Sequence, residues 1–253
     1  MKNRFVFFLF FILFSGSLLA AQAPKREFYE LRIYHATSTQ MTRLHAYLKD
    51  AYLPALHRAG VKDVGVFKAL DNDSLLYVLT PLKSLDQLTK IPAQLQKDAS
   101  YQSAGKDYIE SAFKDPAYQR IETVVMQAFD GMPMHSKSGV TAPPEQRVYE
   151  LRSYESPSEK RYLNKVKMFE SGEIDIFKKL GFNPVFFAKV IAGSKMPNLM
   201  YMTTFADRPT RDASWKAFGS DPDWGKLKVM PEFQDNMNKN TIVFLRPTDY
   251  SDL

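Results

Sequence analysis

The chain has 253 residues, of which 45% are hydrophobic and 25% charged, with a formal net charge of +6 and no cysteine. That balance excludes a disordered or low-complexity chain, and the lack of cysteine excludes disulfides, thiolate metal sites and a cysteine nucleophile. The length accommodates one large domain or two of about 100 residues each.

The N-terminus reads as an address. Lys2 and Arg4 precede an unbroken apolar run from Phe5 to Phe14, and small residues then lead to Ala21-Gln22-Ala23. This order predicts a secretory signal peptide over 1–23, cut after Ala23, and a periplasmic or secreted protein. The run is short for a span of about 20 residues, and no later segment approaches that length. No stable membrane span is therefore expected after cleavage. Cleavage also removes Lys2 and Arg4, leaving a modestly basic chain whose Lys and Arg are interleaved with Asp and Glu. Nucleic acid is not an expected partner.

A first strand, 27 to 35, is rich in Tyr, Phe, Ile and Leu. A helix over about 38 to 58 follows, with Met41, Leu44, Leu48, Ala51 and Ala55 on one face, a kink expected at Pro54 and a stop at Gly60. Strands 62 to 70 and 74 to 81 flank the turn Asp71-Asn72-Asp73. A helical region over 84 to 119 is expected to break at Pro92, and strand 121 to 129 closes the set. Residues 131 to 145, with Gly131, Pro133, Gly139, Pro143 and Pro144, have the composition of a linker.

The pattern then repeats. Phe28-Tyr29-Glu30-Leu31-Arg32-Ile33-Tyr34 returns as Val148-Tyr149-Glu150-Leu151-Arg152-Ser153-Tyr154, and Asp115-Pro116-Ala117-Tyr118 as Asp221-Pro222-Asp223-Trp224. Ser156 is expected to cap the next helix, with Pro157 at its first position and Glu159 completing a capping box. That helix ends at Gly181. Strands 183 to 192 and 198 to 205, helices 208 to 218 and 222 to 236, and strand 239 to 246 complete the copy. Two copies make a duplicated domain rather than a solenoid. The boundaries are 25–130 and 146–247.

The expected fold is α+β: two tandem ferredoxin-like (βαββαβ) repeats, their antiparallel sheets packed face to face as an intramolecular α/β barrel. Alternation in the first strand separates Tyr29, Leu31 and Ile33 from Phe28, Glu30, Arg32 and Tyr34. The first set suits the face under the helices. The second, with Glu150, Arg152 and Tyr154, is then expected inside the barrel, where the charges must pair. Glu30, Arg32, Tyr34, Glu150, Arg152 and Tyr154 are the candidate ligand-binding residues, for a small apolar or amphipathic molecule. Internal neutralisation that fixes the sheet register is the alternative.

The Tyr-Glu-Leu-Arg-x-Tyr strand at 149 to 154, and the segment from Arg211 through Trp215 and Phe218 to Asp221-Pro222-Asp223-Trp224, resemble a NIPSNAP-family domain. The likeness covers nearly all of 146 to 247 and, more loosely, 27 to 130. The first copy departs from it at the tryptophans. Tyr118 stands where Trp224 is, and no tryptophan matches Trp215. The resemblance implies the dimeric α/β-barrel superfamily, which includes cofactor-free monooxygenases and haem-handling enzymes. It implies no agreed catalytic residues.

Other chemistry finds little footing. His45 and His57 are too far apart on one helix to share a metal, so no metal site is expected. Nothing singles out an axial haem ligand, and no cofactor is expected. Gly-rich phosphate loops, G-x-S-x-G and H-E-x-x-H are missing. Trp215, Phe218 and Trp224 are expected to pack in the core. Three functions follow in order: a secreted binding module; a cofactor-independent monooxygenase or isomerase with Glu30 or Glu150 as base; and a structural or partner-binding protein. A homo-oligomer is compatible with all three.

Overall fold

The computed structural model of the chain describes residues 25–253; the expected signal peptide lies outside them. Eight antiparallel strands close into one barrel in the order β1-β3-β2-β8-β5-β7-β6-β4. In the first half these are β1 (Phe28–His35), β2 (Gly65–Ala69), β3 (Leu75–Leu82) and β4 (Arg120–Ala128). In the second they are β5 (Val148–Glu155), β6 (Pro184–Ala192), β7 (Asn198–Phe205) and β8 (Lys239–Pro247). Each half places its first strand between its third and fourth.

The halves meet edge to edge, not face to face as expected from the sequence. β2 pairs with β8 through Phe67↔Pro247 and Lys68↔Arg246, and β4 pairs with β6 through Met126↔Val190. Closure satisfies the hydrogen-bonding edges of both sheets at once.

The closed sheet leaves a cramped interior, and the residue set that includes Tyr29, Leu31, Tyr149 and Leu151 occupies it. Tyr29, Leu31, Phe67, Leu79, Met126, Tyr149, Leu151, Phe186 and Met202 pack there as one buried cluster. The other face lies under helices. In the first half these are α1 (Ser38–Tyr47), α2 (Leu53–Arg58), α3 (Gln87–Leu95), α4 (Ala99–Ala104) and α5 (Lys106–Ile109). The second half has α6 (Glu159–Met168), α7 (Ile174–Lys179), α8 (Arg208–Ser220) and α9 (Pro222–Leu227). Tyr34 packs with Leu44 and Leu56, and Tyr154 with Phe169 and Phe177. The assignment of the two strand faces made from sequence is therefore reversed. Alternation separates the faces but does not say which lies inside when both are covered.

The helices depart from expectation in part. The first is interrupted close to Pro54, where a kink is expected. A wide turn over Leu48–Tyr52, in which Leu53 N–H reaches the Leu48 carbonyl, joins α1 to α2 just before it. A wide turn also occurs at Phe169–Glu173 in the second half, between α6 and α7, but there Gly172 leaves the helical range with a φ of 151°. Ser158, not Ser156, caps α6, accepting from Arg161 N–H, while Ser156 N–H bonds the Pro197 carbonyl. The helical region after β3 breaks after Leu95, leaving Pro92 inside α3. Gly60 and Gly181 do end their helices, with φ of 82° and 73°, a conformation costly to residues with a Cβ.

The segment 131 to 145 contains no helix or strand but is bonded to both halves. Glu27 N–H donates to the Pro133 carbonyl and Ser136 N–H to the Val185 carbonyl. His135 Nδ1 lies 2.8 Å from Glu27 Oε2, and its Nε2 lies 3.5 Å from Asp63. Burial pushes the imidazole pKa down, but the bond to Glu27 and the attraction of Glu27 and Asp63 outweigh it and raise it. A raised folded-state value gives stability that is full below the unfolded value of about 6.5 and lost as pH rises through the folded one. The gap in urea midpoint between the native chain and His135→Asn is therefore expected to be largest near pH 5.5 and to shrink as the pH is raised. A gap that widens with pH would refute the assignment.

Candidate functional site

Glu30 and Glu150 occupy the same place in their halves. Glu30 lies opposite Thr80 across β1 and β3, and Glu150 opposite Thr203 across β5 and β7. Each accepts from the arginine two residues on, Arg32 Nε at 3.0 Å and Arg152 Nε at 2.7 Å. Strand alternation puts both members of each pair on one face, as the sequence indicates. The six candidate residues nevertheless do not share a cavity. They form two sites on opposite sides of the barrel wall from its interior, one under each set of helices.

The second site is filled. Helix α8 brings Arg211 and Trp215 onto Glu150. Arg211 binds it through Nε at 2.8 Å and Nη2 at 2.7 Å, and the Trp215 indole N–H donates at 2.8 Å. The Arg152 guanidinium stacks on the Trp215 ring, 3.7 Å from its centroid. Its Nη1 also donates to the Tyr154 hydroxyl, which pairs with that of Tyr201. Burial pushes the Glu150 carboxyl pKa up, but the bonds from Arg211, Arg152 and Trp215 prevail and hold it below the ordinary carboxylate value. Trp215 further packs against Phe177, Phe182 and Phe218, and Trp224 against Phe218. The core role expected for these residues is what the structure has.

The first site is open. Glu30 accepts one side-chain hydrogen bond, from Arg32. Helix α3 offers Gln87, Leu88, Ile91 and Leu95 to this region, with neither arginine nor tryptophan among them. A cavity of about 160 Å³ results, with Glu30, Arg32 and Thr80 on its sheet side and Tyr47, Tyr52 and Tyr101 on its helix side. The Arg32 guanidinium sits 5.6 Å from the centroid of the Tyr52 ring. The Tyr47 and Tyr101 hydroxyls bond each other at 2.9 Å. Thr80 Oγ1 is buried without a hydrogen-bond partner. Thr203 Oγ1 shares that condition in the filled half, so this orphan alone does not mark a ligand. Tyr34 is buried among the helices and its hydroxyl is likewise unpartnered, whereas Tyr154 is bonded.

The barrel interior has a recess of about 110 Å³ at one mouth, between Glu122, Lys195 and Met200. His35, which ends β1, is bonded to Glu122 there at 2.7 Å. His57 is bonded to Asp252, and His45 lies edge-on to the Tyr250 ring. Among the described residues no group of His, Asp and Glu is placed to hold a metal ion, and no helix is long and apolar enough to cross a membrane.

The sequence singled out Glu30, Arg32, Glu150 and Arg152 but missed the partners Arg211 and Trp215. The signal was present in the segment 211–224 and in its lack of a tryptophan counterpart in the first half. Lys165 and Glu173 were also missed. They form a buried ion pair at 2.9 Å beside the filled site.

Residues 149–252 match the NIPSNAP family model. Several crystal structures align with most of the chain, two candidate monooxygenases among them. A candidate monooxygenase from Lactobacillus acidophilus NCFM is 9% identical over 88% of this chain and 94% of its own, with a TM-score of 0.57. Another, from Fusobacterium nucleatum subsp. nucleatum, is 8% identical over 88% and 93%, with a TM-score of 0.58. At such identity they establish the fold alone. A NIPSNAP family protein from Agrobacterium tumefaciens, 18% identical, covers 44% of this chain and 97% of its own length, with a TM-score of 0.39. No curated protein matches the sequence. The segment that matches the NIPSNAP model, residues 149–252, forms one side of the closed α/β barrel.

Proposed function

We propose that this is an exported protein of two tandem ferredoxin-like halves, in which the second half is the structural mate and the first binds a small amphipathic molecule. The observation that carries this reading is the difference between the halves at one shared position. Glu150 is enclosed by its own chain, whereas Glu30 and Arg32 face a cavity of about 160 Å³ walled by Tyr52, Ile91 and Leu95. Mostly apolar walls with a few placed polar groups are the usual make-up of a ligand pocket. The charge, apolar core and Ala21-Gln22-Ala23 order of the N-terminus supports export.

A second reading is favoured by the fold shared with two candidate monooxygenases. In it the pocket turns over its ligand without a cofactor, with Glu30 as general base. The Arg32 bond at 3.0 Å opposes that role by occupying one of the two carboxylate oxygens.

Native mass spectrometry of protein exported to a bacterial periplasm and purified gently tests the binding reading. A reproducible adduct is expected on the native chain and is expected to vanish when Ile91→Trp fills the cavity. An adduct that persists undiminished on the folded variant would remove the first-half pocket from consideration.

A further inference from the structure

We infer that the ligand of the first-half pocket is a planar aromatic molecule, of about the size of an indole, that carries an N–H or O–H donor. This rests on the pocket reading above and narrows it to a chemical class.

The second half supplies the template. Strand register makes Glu150 the counterpart of Glu30, and the Glu-x-Arg pair is intact in both. What completes the pair in the second half is an aromatic ring with a donor on its edge. The Trp215 ring lies flat against the Arg152 guanidinium, and its N–H meets Glu150 Oε2. Arg211 adds a cationic fork to the same carboxylate. In the first half the pair is kept and the completing side chains are missing. Glu30 Oε2 accepts no hydrogen bond from any described residue, and the guanidinium lies 5.6 Å from the Tyr52 ring centroid rather than against an indole as Arg152 does.

A buried carboxylate with spare acceptor capacity is costly unless a donor reaches it. Guanidinium faces attract aromatic rings. The cavity holds on the order of ten water-sized volumes, enough for one bicyclic ring. The Tyr52, Ile91 and Leu95 walls are apolar, as a ring requires. The first half is also one cation short, having Arg32 alone where the second has Arg152 and Arg211. A cationic arm on the ring supplies the role of Arg211, so tryptamine is expected to bind more tightly than indole.

Isothermal titration of the mature protein with indole, tryptamine and hexylamine tests this. Tryptamine is expected to bind best and indole next, with hexylamine weaker than either. Glu30→Gln is expected to weaken tryptamine roughly tenfold or more, since a charge-assisted bond is lost. Ile91→Trp and Thr80→Leu, each checked for folding by circular dichroism, are expected to abolish binding by filling the cavity. Hexylamine binding as tightly as tryptamine, and lost in both filled variants, would overturn the aromatic class while the pocket stands. Aromatic binding untouched in both filled variants would overturn the pocket itself. Failure of indole and tryptamine to bind the native chain at millimolar concentration would overturn the inference.

Discussion

Glu150→Ala is expected to cost about 3–5 kcal/mol of folding stability, whereas Glu30→Ala costs about 1 kcal/mol or less. Glu150 is fully buried, and its partners Arg152 and Arg211 are 9% and 14% exposed at the side chain. Removing the carboxylate strands two guanidiniums and an indole N–H in a space closed by Trp215. Arg32 is 22% exposed at the side chain and borders a cavity, so water can solvate it when Glu30 is removed. Urea denaturation of both variants measures the difference. Equal losses would contradict the division of the molecule into a filled and an open site. The same carboxylate gives a pH signature. Its folded-state pKa is depressed, so its contribution is present above the unfolded value of about 4.3 and is lost as pH falls through the folded one. The penalty for Glu150→Gln should therefore shrink on acidification.

Breaking the Lys165–Glu173 pair is expected to cost about 3–5 kcal/mol from either side, since each single removal leaves an uncompensated buried charge. The pair lies 2.9 Å apart with side chains 9% and 3% exposed, and the Lys165 ammonium sits 4.7 Å from the Phe169 ring centroid. The wide turns at 48–52 and 169–173 align the halves and put Leu44 where Lys165 is and Tyr52 where Glu173 is. The first half is thus a natural uncharged replacement of the pair. The double variant Lys165→Leu/Glu173→Tyr is expected to be far more stable than the sum of the single losses, with coupling of more than about 2 kcal/mol. Additive losses in thermal or urea unfolding would show that the two side chains act independently.

Much of this architecture was legible in the sequence. The repeated strand, the glycine stops and the turn at 71–73 place every strand within a few residues of where it lies. The sidedness was not legible, for a physical reason. In a closed barrel wrapped by helices both strand faces are buried, so alternation distinguishes two sets without ranking them. Tyr29 and Leu31 and their counterparts Tyr149 and Leu151 fill the interior. Glu150 and Arg152 go outward, where helix side chains such as Arg211 reach them, and Glu30 and Arg32 share that side by strand register. The same blindness hid Lys165, whose charge reads as solvated until Glu173, about two turns away, is brought onto it. The interruption close to Pro54 was signalled as a kink, but its counterpart at 169–173, where Gly172 has a φ of 151°, was not. The difference at Trp215, by contrast, was visible as a missing residue. Its consequence, an open cavity against a filled one, needed the packing.

The central claim is that the ligand lies under the helices of the first half and not inside the barrel. The direct test is a crystal of the protein soaked in 5-bromoindole, with the bromine located by its anomalous signal. The expected peak lies between Tyr52, Ile91 and Leu95, with the ring N–H directed at Glu30. A peak at the barrel mouth beside Glu122 and Lys195, or none in the first-half cavity at full soak, would contradict it.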